Sequence, residues 1–242
     1  MTTPYAIIVG SGFQDFADGS ELHIVETRFG KPSSALRTTA FGGNTALVLQ
    51  RHGDNHTIPP HMINYRANIA ALKEAGAEAI IAVNTIGAVT DICGPGQLAV
   101  PSQIIDYTWG RAHTTYSGDD DDFDHVDFTQ PFSESLRASL LAAAESAGID
   151  CYDGGVYAAT QGPRLETAAE VERLERDGAD YVGMTAMPEA SLARELEIDY
   201  ACLGLVVNFA AGRGNVPIHD DVESNIAAAR MRAMQVLKQF FR

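Results

Sequence analysis

Arg51 and His52 follow a short apolar run, and their side chains have the chemistry to bind a phosphate group. A guanidinium can hold two phosphate oxygens through parallel N–H groups, and an adjacent imidazole can add a further donor. The small-residue turn Gly10-Ser11-Gly12 follows another apolar run, and its backbone N–H groups and hydroxyl can cradle one phosphate. Ser11, Arg51 and His52 are therefore candidates for a phosphate site. Taken alone, the turn also has a purely structural interpretation, and Arg51-His52 can be a surface pair.

Three more side chains stand where apolar runs end. Asn84, Met184 and Asn208 each follow a stretch that is typical of a buried strand. In α/β folds, ligands bind at the ends of strands, so these side chains are candidates for the same site as Arg51. Taken alone, each also has a purely structural interpretation, as a polar cap of a strand or, for Met184, as a core residue.

Glu166 follows the dipeptide Gly162-Pro163, which predicts a tight turn before a helix. The helix is predicted to begin at Glu166, and a carboxylate in the first turn of a helix is stabilised by the helix dipole. Glu166 is therefore either a capping residue or a group that binds a ligand. The residue types and their spacing leave both interpretations open.

Several familiar kinds of site lack support in the sequence. The turn at Gly10 has two of the three glycines of a dinucleotide-binding fingerprint, but Asp15 occupies the third position and would face a pyrophosphate. The histidines of residues 52–61 have no metal-site spacing, because Pro59-Pro60 breaks any helix that could present them together. We therefore expect no metal and no organic cofactor.

The sequence also lacks a recognisable catalytic nucleophile. It contains no Ser-His-Asp order, no nucleophile elbow and no evident pair of catalytic carboxylates. This pattern suits a reaction in which phosphate itself is the nucleophile. The protein would then mainly position the reactants and stabilise charge.

The elements that must position these residues alternate between apolar strands and amphipathic helices. The predicted strands are Ala6–Val9, Thr45–Gln50, Ala79–Val83, Pro101–Tyr107, Tyr181–Met184 and Tyr200–Asn208. The predicted helices are Asn64–Gly76, Ser133–Gly148, Glu166–Asp177, Pro188–Leu196 and Val222–Phe241. This alternation predicts an α/β fold, with helices around a largely buried sheet, in one domain over residues 1–242.

The composition limits the partners and the location of the chain. Its 242 residues, of which 45% are hydrophobic, suffice for one substantial core, and no linker divides them. A net charge of −15 predicts repulsion from nucleic acid and from anionic membranes. Without a signal peptide or a membrane-spanning stretch, we expect a soluble, cytoplasmic protein.

Two further features have structural interpretations. The three cysteines form neither a disulfide framework nor a zinc site, and Cys202 is expected to be a buried thiol within an apolar run. The acidic run Asp119–Asp122 is expected to be a solvated loop tip.

Taken together, the motifs resemble the trimeric purine nucleoside phosphorylase family, in particular its methylthioadenosine phosphorylase branch and, most closely, the bacterial methylthioinosine phosphorylases. The similarity extends over nearly the whole chain. It implies a central mixed sheet flanked by helices, a homotrimer, and the use of inorganic phosphate as a co-substrate. The motifs that carry it are Ile7–Gly12, Arg51–Gly53 with His56, Asn64–Asn68, Thr160–Thr167, Gly183–Thr185 with Pro188-Glu189, and Val206–Asn208.

The resemblance also implies roles for individual residues. Phosphate is expected to contact Ser11, Arg51, His52, Asn84, Thr185 and the backbone N–H of Thr85. Glu166 and Asn208 are expected to hold the base and to be the catalytic residues. The remaining substrate contacts are expected from Leu165, Met184, Val222 and Ile226, together with His125, which would reach into the site of a neighbouring subunit.

Two departures from the family pattern bear on the base. Methylthioadenosine phosphorylases carry an Asp-x-Asp pattern where this chain has Asn208-Phe209-Ala210, and they carry Ser in place of Glu166. Asn208 can donate to O6 or N7 of a 6-oxopurine, and the Glu166 carboxylate can accept from its N1–H. With adenine, Glu166 would face the lone pair of N1, so the resemblance implies a hypoxanthine- or guanine-type base.

A third departure bears on the 5′ end of the ribose. Inosine and guanosine phosphorylases of the family place a His where the spacing from Asn208 falls on Val222. Val222 and Ile226, four residues apart on one helix face, would instead make an apolar pocket for a methylthio group. Methylthioinosine is therefore the expected substrate.

Other functions remain open at this point. The chain could prefer inosine or guanosine, or could retain activity on methylthioadenosine. It could also hydrolyse the nucleoside with water, or be a nucleoside-binding sensor without catalytic activity. The predicted phosphate pocket argues against these last two.

Overall fold

The computed structural model describes residues 4–13, 16, 21–41, 43–118 and 123–242. Asp15 and the acidic run Asp119–Asp122 lie outside the described residues. The described chain forms one sheet of eleven strands with five α-helices packed around it. The expected α/β fold with a central mixed sheet is confirmed.

The strands are β1 Tyr5–Val9, β2 Glu21–His23, β3 Leu36–Phe41, β4 Asn44–Gln50, β5 Ala79–Ala88, β6 Leu98–Val100, β7 Gln103–Asp106, β8 Cys151–Asp153, β9 Val156–Ala159, β10 Tyr181–Gly183 and β11 Asp199–Phe209. The helices are α1 Tyr65–Glu74, α2 Glu134–Ser146, α3 Ala168–Arg176, α4 Ala186–Glu195 and α5 Ile218–Phe240, with a short 3₁₀ turn at Pro60–Met62.

The strand β5 organises the sheet. The long strand β11 pairs in parallel with β5 along its whole length, so it occupies one edge of β5. Both β1 and β10 must then share the other edge, where β1 pairs with residues 79–83 and β10 pairs with Gly87 and Ala88. Residues 84–86 of β5 lie between these two partners and have no neighbouring strand on this edge, so a gap in the sheet remains beside them.

The two faces of the sheet are covered by different helices. One cluster of buried apolar side chains joins the sheet to α1 and α4, and a second joins it to α2 and α5. A smaller cluster lies beneath α3. Cys202 belongs to the first cluster and is free, and its burial raises the pKa of its thiol to about 12. The prediction of a buried thiol is confirmed.

Three predicted boundaries are wrong in ways that affect the site. The strand predicted to end at Val83 continues to Ala88, so Asn84 and Thr85 lie inside β5. The helix predicted from Glu166 begins after the N-cap residue Thr167, which forms a capping box with Glu170. Glu166 therefore does not cap the helix. The last helix begins at Ile218, one turn before Val222.

The sequence did not predict five of the strands, most of which are short: β2, β3, β6, β8 and β9. Within the described residues, no helix has both the length and the hydropathy that crossing a membrane requires.

Candidate active site

A cavity of about 490 Å³ lies at the gap beside β5. Residues 84–87 of this strand form part of its wall. The rest comes from the ends of β1, β4, β10 and β11, from residues 56–60, from the loop before α3 and from the beginning of α5. The lining residues are Gly10, Ser11, Arg51, His52, His56–Pro60, Asn84–Gly87, Pro163, Leu165, Glu166, Val182–Thr185, Val207, Asn208, Ala210, Ala211, Ile218, His219, Val222 and Ile226.

Arg51 is almost fully buried and is held by Glu189, which is fully buried. The guanidinium donates from Nε to Oε1 of Glu189 at 2.5 Å and from Nη2 to Oε2 at 3.0 Å. Burial disfavours the charge of Arg51, but the carboxylate of Glu189 outweighs this effect and raises the pKa of Arg51 above its ordinary value. Arg51 therefore stays charged, and it carries its counterion with it.

The expectation that Arg51 binds phosphate through two parallel N–H groups is wrong, because Glu189 already occupies these groups. Nη2 donates its second hydrogen to Oδ1 of Asn84 at 2.9 Å, and Nη1 donates to the carbonyl of Val83 at 3.2 Å. Only the second N–H of Nη1 is left for a ligand. This nitrogen lies against the first turn, where a Cβ at Gly10 would come within 2.8 Å of it, so the close approach requires a glycine.

Asn84 connects Arg51 to Thr185. Its Oδ1 accepts from Arg51, and its Nδ2 donates to Oγ1 of Thr185 at 3.1 Å. The hydroxyl hydrogen of Thr185 remains available as a donor at the start of α4. Asn84, Thr85 and Thr185 all line the cavity beside Arg51, as the sequence predicted for a phosphate site.

His52 differs from the sequence expectation in its hydrogen-bonding role. Its Nδ1 lies 2.8 Å from the carbonyl oxygen of Ile58, which can only accept, so Nδ1 carries the hydrogen. Burial, the charge of Arg51 and the neighbouring His56 lower the pKa of His52 to about 4, against the contact with Ile58. The ring is neutral at pH 7, so Nε2 is an acceptor and not the donor that was expected.

His56 completes this side of the cavity. Its ring stacks on that of His52 with 4.6 Å between centroids, and its Nε2 lies 2.9 Å from Oγ of Ser11. The contact fixes the hydroxyl of Ser11 in the first turn. Together, the hydroxyl of Thr185 and one N–H of Arg51 are donors, whereas Nε2 of His52 is an acceptor. The hydroxyl of Ser11 is free to donate to a ligand in the tautomer in which Nε2 of His56 carries the hydrogen of their contact.

Asn208 reaches the cavity because β11 is irregular just before it. The register with β5 shifts between Val206 and Asn208, so Val207 is an extra residue of the kind that re-aims side chains. The amide of Asn208 packs over Gly87, where a Cβ would lie 3.1 Å from Nδ2. Nδ2 donates one hydrogen to the carbonyl of Phe209 at 2.7 Å. Its second hydrogen and Oδ1 remain for a ligand.

Glu166 lines the same cavity from the loop before α3. Its Oε1 accepts from the hydroxyl of Thr160 at 2.6 Å, which fixes the carboxylate at the end of β9. The carboxylate of Glu166 and the amide of Asn208 thus offer an acceptor and a donor to a ligand in this cavity.

One wall of the cavity is apolar and comes from the beginning of α5. Ile218, Val222 and Ile226 line it, and the side chain of Ile226 packs against Gly12 of the first turn. The helix is fixed to the end of β11 because Oδ2 of Asp221 accepts from the backbone N–H of Phe209 at 2.9 Å. This contact places Val222 near Asn208.

Comparison with known proteins identifies the family. The profile described as Phosphorylase superfamily matches residues 4–242. The chain belongs to this superfamily. A probable S-methyl-5'-thioinosine phosphorylase from Pseudomonas syringae pv. tomato is 51% identical over 219 residues, which cover 89% of each chain. A 6-oxopurine nucleoside phosphorylase from Pyrococcus furiosus is 42% identical over 224 residues, which cover 90% of this chain and 84% of the relative.

Solved structures give the same assignment. Methylthioadenosine phosphorylase from Schistosoma mansoni in complex with adenine superposes with a TM-score of 0.91 at 32% identity, and the match covers 99% of this chain and 91% of that one. The resemblance to nucleoside phosphorylases is thereby confirmed. The predicted enzyme class, a pentosyltransferase, is confirmed as well.

The phosphorylase brings twelve of the thirteen predicted site residues together around one cavity. Leu165 and Met184 are among them, and their role as substrate contacts stays a prediction. His125 does not line it and packs edge-on against the ring of Phe123, which is exposed. The role expected of His125 in a neighbouring subunit stays a prediction.

The sequence reading gave no site role to four residues that shape this cavity: Glu189, Asp221, His56 and His219. Glu189 and Asp221 do not line the cavity. They position it indirectly, through hydrogen bonds to Arg51 and to the backbone of Phe209, and sequence spacing does not predict such contacts. His56 and His219 line the cavity directly. His219 lies three residues before Val222, so the predicted start of the last helix at Val222 left it outside the helix.

The lowered pKa of His52 predicts a dependence of stability on pH. The unfolded chain binds a proton at His52 near the ordinary value of 6.5, whereas the folded chain binds it only near 4. The contribution of His52 to the free energy of unfolding is therefore fully present above pH 6.5, and it is lost as the pH falls towards 4. Between pH 7.5 and pH 5 the loss amounts to about 2 kcal/mol.

Urea unfolding at both pH values, at one protein concentration, measures this loss. The amide of the His52→Asn variant can still donate to Ile58 but does not titrate. The loss of unfolding free energy between pH 7.5 and pH 5 should therefore be about 2 kcal/mol smaller in this variant than in wild type. His61→Asn is the control, because His61 is exposed, and it should keep the wild-type decrease. An unchanged decrease in His52→Asn would show that His52 is not held neutral by the fold.

Proposed function

We propose that this phosphorylase cleaves S-methyl-5'-thioinosine with phosphate, giving hypoxanthine and 5-methylthioribose 1-phosphate. The observation that carries the proposal is that one cavity holds the phosphate-type donors, the Asn208–Glu166 pair and the apolar wall of α5. The similarity to the relative from Pseudomonas syringae, named a probable S-methyl-5'-thioinosine phosphorylase, supports the same substrate.

The base is a 6-oxopurine. The free Nδ2 hydrogen of Asn208 donates to O6 or N7, and the carboxylate of Glu166 accepts from N1–H. Adenine would present a lone pair at N1 to Glu166, and an unmatched buried polar group of this kind can discriminate by about 10⁴ or more. This argues against methylthioadenosine, the alternative suggested by the structural similarity to methylthioadenosine phosphorylase.

The 5′ group is methylthio. Ile218, Val222 and Ile226 offer an apolar wall to it, and burial of such a group there stabilises the complex by about 1–2 kcal/mol. His219 gives the second candidate, a 6-oxopurine nucleoside with a 5′-hydroxyl, because its imidazole also lines the cavity and can bond a hydroxyl. The similarity to the 6-oxopurine nucleoside phosphorylase of Pyrococcus furiosus supports that candidate.

In the reaction, the bond between N9 and C1′ lengthens, and the sugar takes on oxocarbenium character. Negative charge builds on the purine, where Asn208 stabilises it through a hydrogen bond. Phosphate attacks C1′ from the opposite face, held by Ser11, Thr185, the N–H of Thr85 and one N–H of Arg51. Because Nε2 of His52 is an acceptor, it takes the hydrogen bond of a P–OH group of the bound phosphate.

The remaining expectations are parts of the same proposal. The enzyme works in the cytoplasm, uses phosphate as a co-substrate without a metal or organic cofactor, and forms a homotrimer. In the trimer His125 of one subunit contacts the site of the next. Light scattering should give the mass of three chains, and the mass of one chain would contradict both the trimer and the role of His125.

The phosphate requirement separates the proposed reaction from hydrolysis and from simple binding. Hypoxanthine release from methylthioinosine should depend on added phosphate, and mass spectrometry should detect 5-methylthioribose 1-phosphate as the sugar product. Equal release in phosphate-free buffer, with free 5-methylthioribose, would make the protein a hydrolase. Binding without release of the base would make it a sensor.

Asn208→Asp should move the preference towards 6-aminopurines, because a carboxylate repels O6 and accepts from a 6-amino group. The ratio of kcat/KM for methylthioinosine to that for methylthioadenosine should fall by at least about 100-fold. Asn44→Asp adds the same charge at the beginning of β4, outside the cavity, and should leave the ratio within about twofold of wild type. A full 6-oxopurine preference in Asn208→Asp would refute the role of Asn208.

A further inference from the structure

Arg111 is a buried cation without an anionic partner. It is 7% exposed, and no carboxylate among the described residues forms an ion pair with it. Arg51 and Arg137, the other buried arginines, are both paired with carboxylates. A buried charge is costly unless its hydrogen bonds compensate for the lost water, so the contacts of Arg111 need an explanation.

Every nitrogen of the Arg111 guanidinium donates to a neutral acceptor. Nη1 donates to the carbonyls of Met187 at 2.6 Å and Met184 at 2.7 Å, and to the hydroxyl of Tyr65 at 3.1 Å. Nη2 donates to the carbonyls of Gln161 at 2.8 Å and Thr160 at 3.2 Å, and Nε donates to Oε1 of Gln161 at 3.2 Å. Hydrogen bonds from a cation are stronger than neutral ones, so these segments are held firmly.

These acceptors lie in, or bond to, segments that line the cavity. Met184 lines it directly, and Thr160 holds the carboxylate of Glu166, which also lines it. Tyr65 donates to the carbonyl of Pro60, another lining residue. Arg111 itself does not line the cavity, so it acts from behind these segments.

The phosphate cluster, which we define as Arg51, Asn84 and Thr185, shares no side-chain hydrogen bond with Arg111. Its members bond to one another, and Arg51 also bonds to Glu189. The two networks meet through the backbone, because Arg111 holds the carbonyl of Met184, the residue before Thr185. Arg51 thus anchors the phosphate cluster, and Arg111 anchors mainly the segments expected to face the nucleoside.

We propose that Arg111 is a positioning residue that sets the binding geometry for the nucleoside and affects the phosphate site less, through the peptide bond between Met184 and Thr185. This inference rests on the proposed function for the identity of the two substrates. In this proposal, Arg111 fixes the relative positions of Glu166, Met184 and Pro60, and the fit of base and ribose depends on these positions. A shift of about 1 Å in such a group can cost up to about 100-fold in rate.

Arg111→Lys tests the proposal, because lysine keeps the charge but cannot reach all the acceptors with one nitrogen. The KM for the nucleoside should rise at least about tenfold, and the KM for phosphate should rise by at most about threefold. Equilibrium binding of hypoxanthine alone should weaken in parallel. Arg137→Lys is the matched control, since Arg137 is equally buried and bonds to the carbonyls of Val100 and Pro101 away from the cavity. It should change neither KM.

Tyr65→Phe provides the second variant if Arg111→Lys does not fold. It removes one acceptor of Arg111 and the link to Pro60, so it should raise the nucleoside KM by a smaller factor and leave the phosphate KM unchanged. Equal rises in both KM values, or a nucleoside KM within about twofold of wild type, would overturn the proposal.

The test also distinguishes a failure of the proposed function. All KM values are measured with the nucleoside that the wild-type enzyme cleaves fastest. If that nucleoside is not methylthioinosine, the proposed substrate is wrong, while the ratio of variant to wild type still decides the role of Arg111.

Discussion

The ion pair between Arg51 and Glu189 is the interaction on which the site depends. It joins the residue after β4 to helix α4 in the interior, and through Asn84 it reaches β5 and Thr185. Removal of either partner would leave an unpaired charge in a buried place, which is costly. The pair also neutralises the guanidinium, so a phosphate ligand does not meet an isolated positive charge.

This neutralisation explains the make-up of the phosphate cluster. The chain carries a net charge of −15, so long-range attraction cannot draw phosphate in. Binding must come from short contacts with hydroxyl and N–H donors, and those of Ser11, Thr185 and Arg51 are already fixed by neighbouring groups. The neutral ring of His52 adds an acceptor for a P–OH group of the bound phosphate.

The sheet supplies the space for these groups. Because β1 stops and β10 starts along the same edge of β5, three residues of β5 face a gap and not a strand. The irregularity at Val207 then aims Asn208 into that gap, and the missing side chain of Gly87 makes room for the amide. The base-binding pair and the phosphate donors therefore meet in one cavity although they come from distant parts of the chain.

The sequence predicted the long elements, because buried strands and amphipathic helices leave strong patterns. Of the thirteen residues expected in the site, twelve line one cavity. It missed short strands such as β6 and β8, which are three residues each and stabilised by partners far along the chain. It placed Arg51 in the site but could not show that Glu189 occupies the guanidinium fork. Arg111 stayed unnoticed because its acceptors are mostly backbone carbonyls, which carry no sequence signal.

The central claim is that the cavity selects a 6-oxopurine nucleoside with an apolar 5′ group. The most direct measurement is kcat/KM for methylthioinosine, inosine and methylthioadenosine at saturating phosphate. The highest value for methylthioinosine would agree with the assignments of Asn208, Glu166 and Val222. A higher value for methylthioadenosine would contradict the assignment of the base, and a higher value for inosine would contradict the apolar 5′ pocket and point to His219.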